Sequence, residues 1–156
     1  MPRLSPEALS RRLKAIRRLM QQHKVDVYLV PSADEHQNEY LPAYKRRREA
    51  ISGFTGSAGD VAITAKEAHL WVDSRYHLQA DQEVDMKQYT VHKLGLPGVP
   101  DWMLWVAQTE DKKGPLRVGF DPFLINLRLL ERLDQVLRRS KSAAVPVKGN
   151  LVDAVW

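Results

Sequence analysis

Val61-Ala62-Ile63-Thr64-Ala65-Lys66-Glu67-Ala68-His69-Leu70-Trp71-Val72-Asp73-Ser74-Arg75-Tyr76 sets the architecture of the chain. Two short apolar runs, 61–64 and 68–72, flank a polar connection of three residues, which is the pattern of a β-hairpin. Past Val72 the period changes: Tyr76, Ala80 and Val84 fall on one helical face. Asp73 stands where a carboxylate caps a helix by accepting from first-turn amides. A hairpin that runs straight into a helix predicts a sheet with helices laid on it.

The flanking sequence extends this pattern. Leu4, Leu9, Leu13, Ile16 and Leu19 or Met20 recur at helical spacing, with Ser5 as N-cap, Pro6 in the first turn and Leu4 placed to pack on Leu9. Val25–Val30 is rich in β-branched and aromatic residues and stops at Pro31, so it reads as a core strand. Residues 32–44 are polar and irregular, and Gly53, Gly56 and Gly59 punctuate the entry to the hairpin. After the hairpin and its helix come a strand at Tyr89-Thr90-Val91, a connector at 96–100, and a short helix over Trp102–Val106 capped by Asp101. A strand at Arg117–Phe120, an amphipathic helix over Leu124–Leu137 and an edge strand at Ala143–Val147 complete the series, Pro146 lacking the ladder donor. The expected fold is α/β: a mixed sheet of five or six strands flanked by helices, in one domain over 1–156. Leu13, Ile16, Val27, Leu29, Ile63, Trp71, Val118, Leu130 and Leu133 are expected to form one core.

Composition narrows the function. Of 156 residues 44% are hydrophobic and 28% charged, with four Trp and no Cys, so the chain folds without disulfides or thiolate metal sites. No apolar run approaches the roughly 18 residues a membrane span needs, and the basic amphipathic N-terminus lacks an export signal's apolar core. Cytoplasm is the expected compartment. The net charge of +5 is unevenly placed. Basic groups crowd residues 1–24, Lys45-Arg46-Arg47-Arg48 and Arg138-Arg139-Ser140-Lys141, while residues 60–111 lean acidic. No aromatic residue interleaves with these runs to stack bases, so they read as solvated helix faces and not as a nucleic-acid surface.

Candidate chemistry is sparse. Asp34-x-His36 offers two metal donors where three or four are needed, so no metal is assigned. The glycines of 53–59 lead into a strand, whereas phosphate-cradling loops lead into a helix. Neither a Gly-x-Ser-x-Gly elbow nor a Cys nucleophile is present, and no catalytic residue is assigned. Asp73-Ser74-Arg75-Tyr76 is the most suggestive group. It sits where a strand turns into a helix, which throws Arg75 out at the sheet edge where α/β folds meet ligands.

At these residues the chain resembles a known family. Pro31-Ser32-Ala33-Asp34-Glu35-His36-Gln37-Asn38-Glu39-Tyr40, Arg47 to Gly59, Trp71-Val72-Asp73-Ser74-Arg75-Tyr76, Gly119-Phe120-Asp121-Pro122 and Asn150-Leu151-Val152-Asp153-Ala154-Val155-Trp156 are similar, in order and spacing, to segments of cytosolic-type Xaa-Pro aminopeptidases. Ser74 stands where that family commonly has glycine. The resemblance implies a creatinase/prolidase N-terminal domain with a ribonuclease H-like motif. It implies a non-catalytic role beside a separate pita-bread domain that removes the residue before a second-position proline. That domain would hold two metal ions, typically manganese, through ligands this chain lacks. The implied parent is a homodimer or higher homo-oligomer acting on peptides, and Arg75 is the residue implied to contact substrate. The alternative is a stand-alone binding or interaction module without peptidase activity.

Overall fold

A computed structural model describes residues 3–138 and 141–156; Arg139 and Ser140 of the last basic run lie outside the described residues. The elements run α1 (Pro6–Gln22), β1 (Val27–Val30), a 3-10 turn (Ala43–Lys45), α2 (Arg47–Ser52), β2 (Asp60–Thr64) and β3 (Ala68–Val72). A second 3-10 turn (Ser74–Tyr76), α3 (His77–Glu83), β4 (Thr90–Lys93), α4 (Trp102–Lys113), β5 (Arg117–Phe120), α5 (Leu127–Leu137) and β6 (Ala143–Pro146) follow. The strands form one sheet in the order β4-β3-β2-β1-β5-β6. Its pairings make β2 antiparallel to both its neighbours and leave the other five strands parallel to one another.

The Ser5 and Asp101 caps are used as read, and Asn126 adds a third. Ser5 Oγ accepts from Ala8 N–H, Asp101 from Leu104 N–H, and Asn126 from Leu129 N–H, so α1, α4 and α5 each start on a side-chain cap. The last of these places the start of α5 at Leu127, three residues later than the leucine spacing alone predicts. β6 lies at the edge of the sheet, where Pro146 leaves no interior ladder bond unmade.

The hydrophobic interior is two layers and not one core. Side chains of a strand alternate between faces. Tyr28 and Val30 therefore join Leu9, Leu13, Ile16, Ile63 and Leu70 beneath α1. Val27 and Leu29 join Trp71, Val106, Val118, Leu133 and Leu137 on the side of α4 and α5. Leu130 is only half-buried and Leu127 is 71% exposed, although both share the stripe with Leu133. Periodicity says which side chains share a face, not how much of that face the neighbours cover. Leu133→Ala is accordingly expected to cost about 2–5 kcal/mol in a reversible urea titration, and Leu130→Ala less than half as much. Equal losses at the two positions would contradict the burial difference.

Candidate functional site

The five parallel strands end on one edge of the sheet, where β2 begins with Asp60. Ligands of such sheets meet that edge. The loop after β1, the segment 53–59, the turn after β3 and the loop after β5 all gather there.

Arg48 of α2 ties two of these pieces together. Its Nη1 donates to Ser32 Oγ at 2.5 Å, its Nη2 donates to the Gly56 carbonyl, and its guanidinium lies 4.9 Å from the Phe54 ring centre. Ser32 Oγ in turn donates to the Gly59 carbonyl. Arg48 is 7% exposed, and burial brings its pKa down to about 10, opposed chiefly by the Asp60 carboxylate. Burial raises Asp60 and the Arg48 charge holds it down. The two charges thus compensate each other beneath the loops. Arg47 donates from Nε and Nη2 to the two oxygens of Asp153 at 2.8 and 2.9 Å, fastening the C-terminal segment. Asn150 Nδ2 donates to Asp121 Oδ2 at 3.0 Å, which joins that segment to the loop after β5.

The run Lys45–Arg48 is therefore not a solvated face. Lys45 pairs with Glu35, Arg46 donates to the Leu41 carbonyl, and the two arginines after it are committed as described. The carboxylate of Asp34 is spent on its own loop, accepting from the N–H groups of His36 and Asn38 at 2.9 and 3.0 Å and from Asn38 Nδ2. These bonds hold its pKa below the ordinary value, led by the Asn38 N–H. Asp34 serves loop structure, while the His36 side chain is 73% exposed.

The Asp73 tetrad sits against the glycine segment. Asp73 Oδ1 accepts from Arg75 N–H and Nε, both at 3.0 Å, and Oδ2 accepts from Nη2 at 2.8 Å. Its side chain caps the turn as the sequence indicates and also clamps the guanidinium. The clamp lowers the Asp73 pKa and raises that of Arg75. The Arg75 side chain remains 61% exposed, 5.1 Å from the Tyr76 ring centre, and Nη1 has no hydrogen bond among the described residues. Ser74 lies in the 3-10 turn outside the positive-φ residues, so the position does not require glycine. Tyr76 meets Phe54 edge-on at 5.8 Å and hydrogen-bonds Ser57. A Cβ on Gly56 would lie 2.4 Å from Phe54 Cζ and 2.9 Å from Tyr76 Cδ1, so close approach demands glycine there. Beside this contact a cleft of about 120 Å³ is lined by Ser32, Glu39, Tyr40, Arg46, Arg48 and Ser57 among others.

Residues 12–155 match the family model described as Creatinase/Prolidase N-terminal domain. The chain belongs to this family. Among relatives of this creatinase/prolidase domain, the probable Xaa-Pro aminopeptidase P of Penicillium rubens is 47% identical over 147 residues, which cover 94% of this chain and 24% of that protein. The X-prolyl aminopeptidase of Caenorhabditis elegans, a cytosolic enzyme with a di-nuclear active site, superposes with a TM-score of 0.88 at 30% identity, over 95% of this chain and 25% of that one. The N-terminal domain of the cytoplasmic peptidase PepQ from Mycobacterium tuberculosis shares the fold at a TM-score of 0.66 and 21% identity, over 94% of this chain and 98% of that one. The creatinase/prolidase domain described here thus spans about a quarter of the aminopeptidases it matches. Among its described residues no three His, Asp or Glu side chains come together to hold a metal, so the donor set does not fit a di-nuclear centre. No helix among them is long and apolar enough to cross a membrane.

Proposed function

We propose that this chain is the accessory N-terminal domain of a cytoplasmic Xaa-Pro aminopeptidase and that Arg75 contacts the peptide. The carrying observation is the exposed, pre-aimed guanidinium at the strand-end edge. Asp73 fixes one side of its fork and Tyr76 lies beside it, so little side-chain entropy remains to be lost when a ligand carboxylate takes the free donors. In this reading the enzyme removes the residue before a second-position proline. A separate pita-bread domain and its di-nuclear centre, manganese in the resemblance noted above, lie outside this chain. The assembled enzyme is a homodimer or higher homo-oligomer, and Arg75 borders the substrate path of its own or a neighbouring subunit.

The test uses the full-length enzyme. Arg75→Ala and Arg75→Lys are expected to lower kcat/KM for an Xaa-Pro-Xaa tripeptide by about tenfold to a hundredfold, the worth of a charge-assisted bidentate contact. Longer peptides, whose C-terminal carboxylate lies farther from the scissile bond, lose less. Metal content and thermal midpoint stay unchanged. Activity and thermal midpoint falling together in both variants would make Arg75 a structural residue instead.

A further inference from the structure

The opposite edge of the sheet carries a feature that the peptidase reading does not use. Where β1 and β5 begin and β2 ends, a cleft of about 1250 Å³ opens between the end of α1, the hairpin turn at Ala65–Lys66 and the end of α4. Seven basic side chains line it against one carboxylate, Asp26, whose Oδ2 is taken by the Arg117 N–H. Lys14, Arg18, Lys24 and Lys66 are exposed, and their side chains make no hydrogen bond or ion pair among the described residues. The last turn of α1 holds no basic residue, so the helix dipole does not account for the α1 members of this cluster. Lys24 occupies the position after the helix at φ 56°, where glycine is the usual residue. A charged side chain is thus kept at a backbone position that disfavours one.

We propose that this cleft binds an acidic, partly apolar peptide segment of another protein. Charge complementarity calls for an anionic partner. Apolar surface in the cleft comes from the aliphatic stems of its lysines and arginines and from exposed Pro115, above the buried Met20, Val25, Val27 and Leu116. The lining contains no aromatic residue on which a base would stack.

Fluorescence anisotropy of a labelled sixteen-residue peptide repeating Glu-Leu-Asp-Glu, titrated with the 156-residue chain, tests this. Saturable binding is expected, weakened about tenfold by Lys14→Glu/Arg18→Glu/Lys66→Glu together and left intact by Arg128→Glu/Arg132→Glu on α5. Lys14→Ala and Lys66→Ala alone should weaken it in smaller steps, which removes dependence on the fold of the triple variant. Binding should fall as salt rises from about 50 to about 200 mM. The proposal is overturned if the peptide does not bind saturably, or if the α5 variant loses as much as the triple variant. It is also overturned if poly-glutamate or DNA of equal charge binds as tightly, or if the cleft variants abolish self-association of the chain, which would assign the surface to a second copy.

Discussion

Arg48→Ala is expected to remove about 3–5 kcal/mol of stability, because it strips a buried guanidinium from the groups it serves and leaves Asp60 without the opposing charge near it. For a chain of this size the thermal midpoint then falls by roughly 6–20 °C. Three losses coincide at this site. Asp60 keeps its burial without its opposing charge, the Gly56 carbonyl and Ser32 Oγ lose a charged donor, and the guanidinium leaves the Phe54 ring. Neutralising the partner should relieve the first of these, so Arg48→Ala/Asp60→Asn should be destabilised by at least about 1 kcal/mol less than the sum of the single variants. Additive losses in a urea double-mutant cycle would show that Asp60 is not the compensating charge. The same consideration bears on the basic run. Charge changes at Arg46, Arg47 and Arg48 report on folding before they report on any anionic ligand, because these side chains already serve internal bonds.

What could be read from the chain was whatever repeats locally. The hairpin, the first helix, the caps at Ser5, Asp73 and Asp101 and the edge position of Pro146 follow from period and residue type over a few neighbours. α2 escaped because Arg47–Ser52 is too short to show a period and its arginines read as a charge run. The burial of Arg48 depends on Gly56 returning to accept from it, a contact no local spacing encodes. The aligned segments of the family resemblance are now seen to answer one another: Arg47 holds Asp153, Asn150 holds Asp121, and Arg48 holds Ser32. Asp73-Ser74-Arg75-Tyr76 was legible as a turn with an outward arginine, and its clamp by Asp73 required coordinates. The basic cleft was hidden for the same reason: Lys66 and Lys113 flank or fall within a stretch that leans acidic in sequence yet meet α1 in space.

Acid is expected to destabilise the fold between pH 6.5 and about 4, through the imidazoles of β3 and β4. His69 is 5% exposed, its Nδ1 is 2.9 Å from His92 Nε2, and its ring packs 4.6 Å from Trp105 and 5.9 Å from Trp71. One proton lies between the two imidazoles. Its other nitrogen, Nε2, is buried without a hydrogen bond, and the nearest carboxylate, Glu67, is 3.8 Å away. Burial first, then His92, brings the His69 pKa from 6.5 down to about 4, with Lys113 adding to the fall and Glu67 opposing it. Burial lowers His92 as well. The unfolded chain therefore takes up protons near pH 6.5 that the folded chain refuses. Stability is full above that pH, declines as pH falls, and levels for His69 near pH 4, where the folded state accepts the proton too. The drop attributable to His69 is about 3 kcal/mol, with a slope of about 1.4 kcal/mol per pH unit. The carboxylates of Asp34, Asp73 and Glu83, whose pKa values are lowered by their hydrogen bonds, add their own losses below that window. Urea midpoints taken from pH 7 to pH 4.5 should fall for the natural chain, less steeply for His69→Gln, and hardly at all for His69→Gln/His92→Gln. An equal slope in all three proteins would place the acid sensitivity elsewhere.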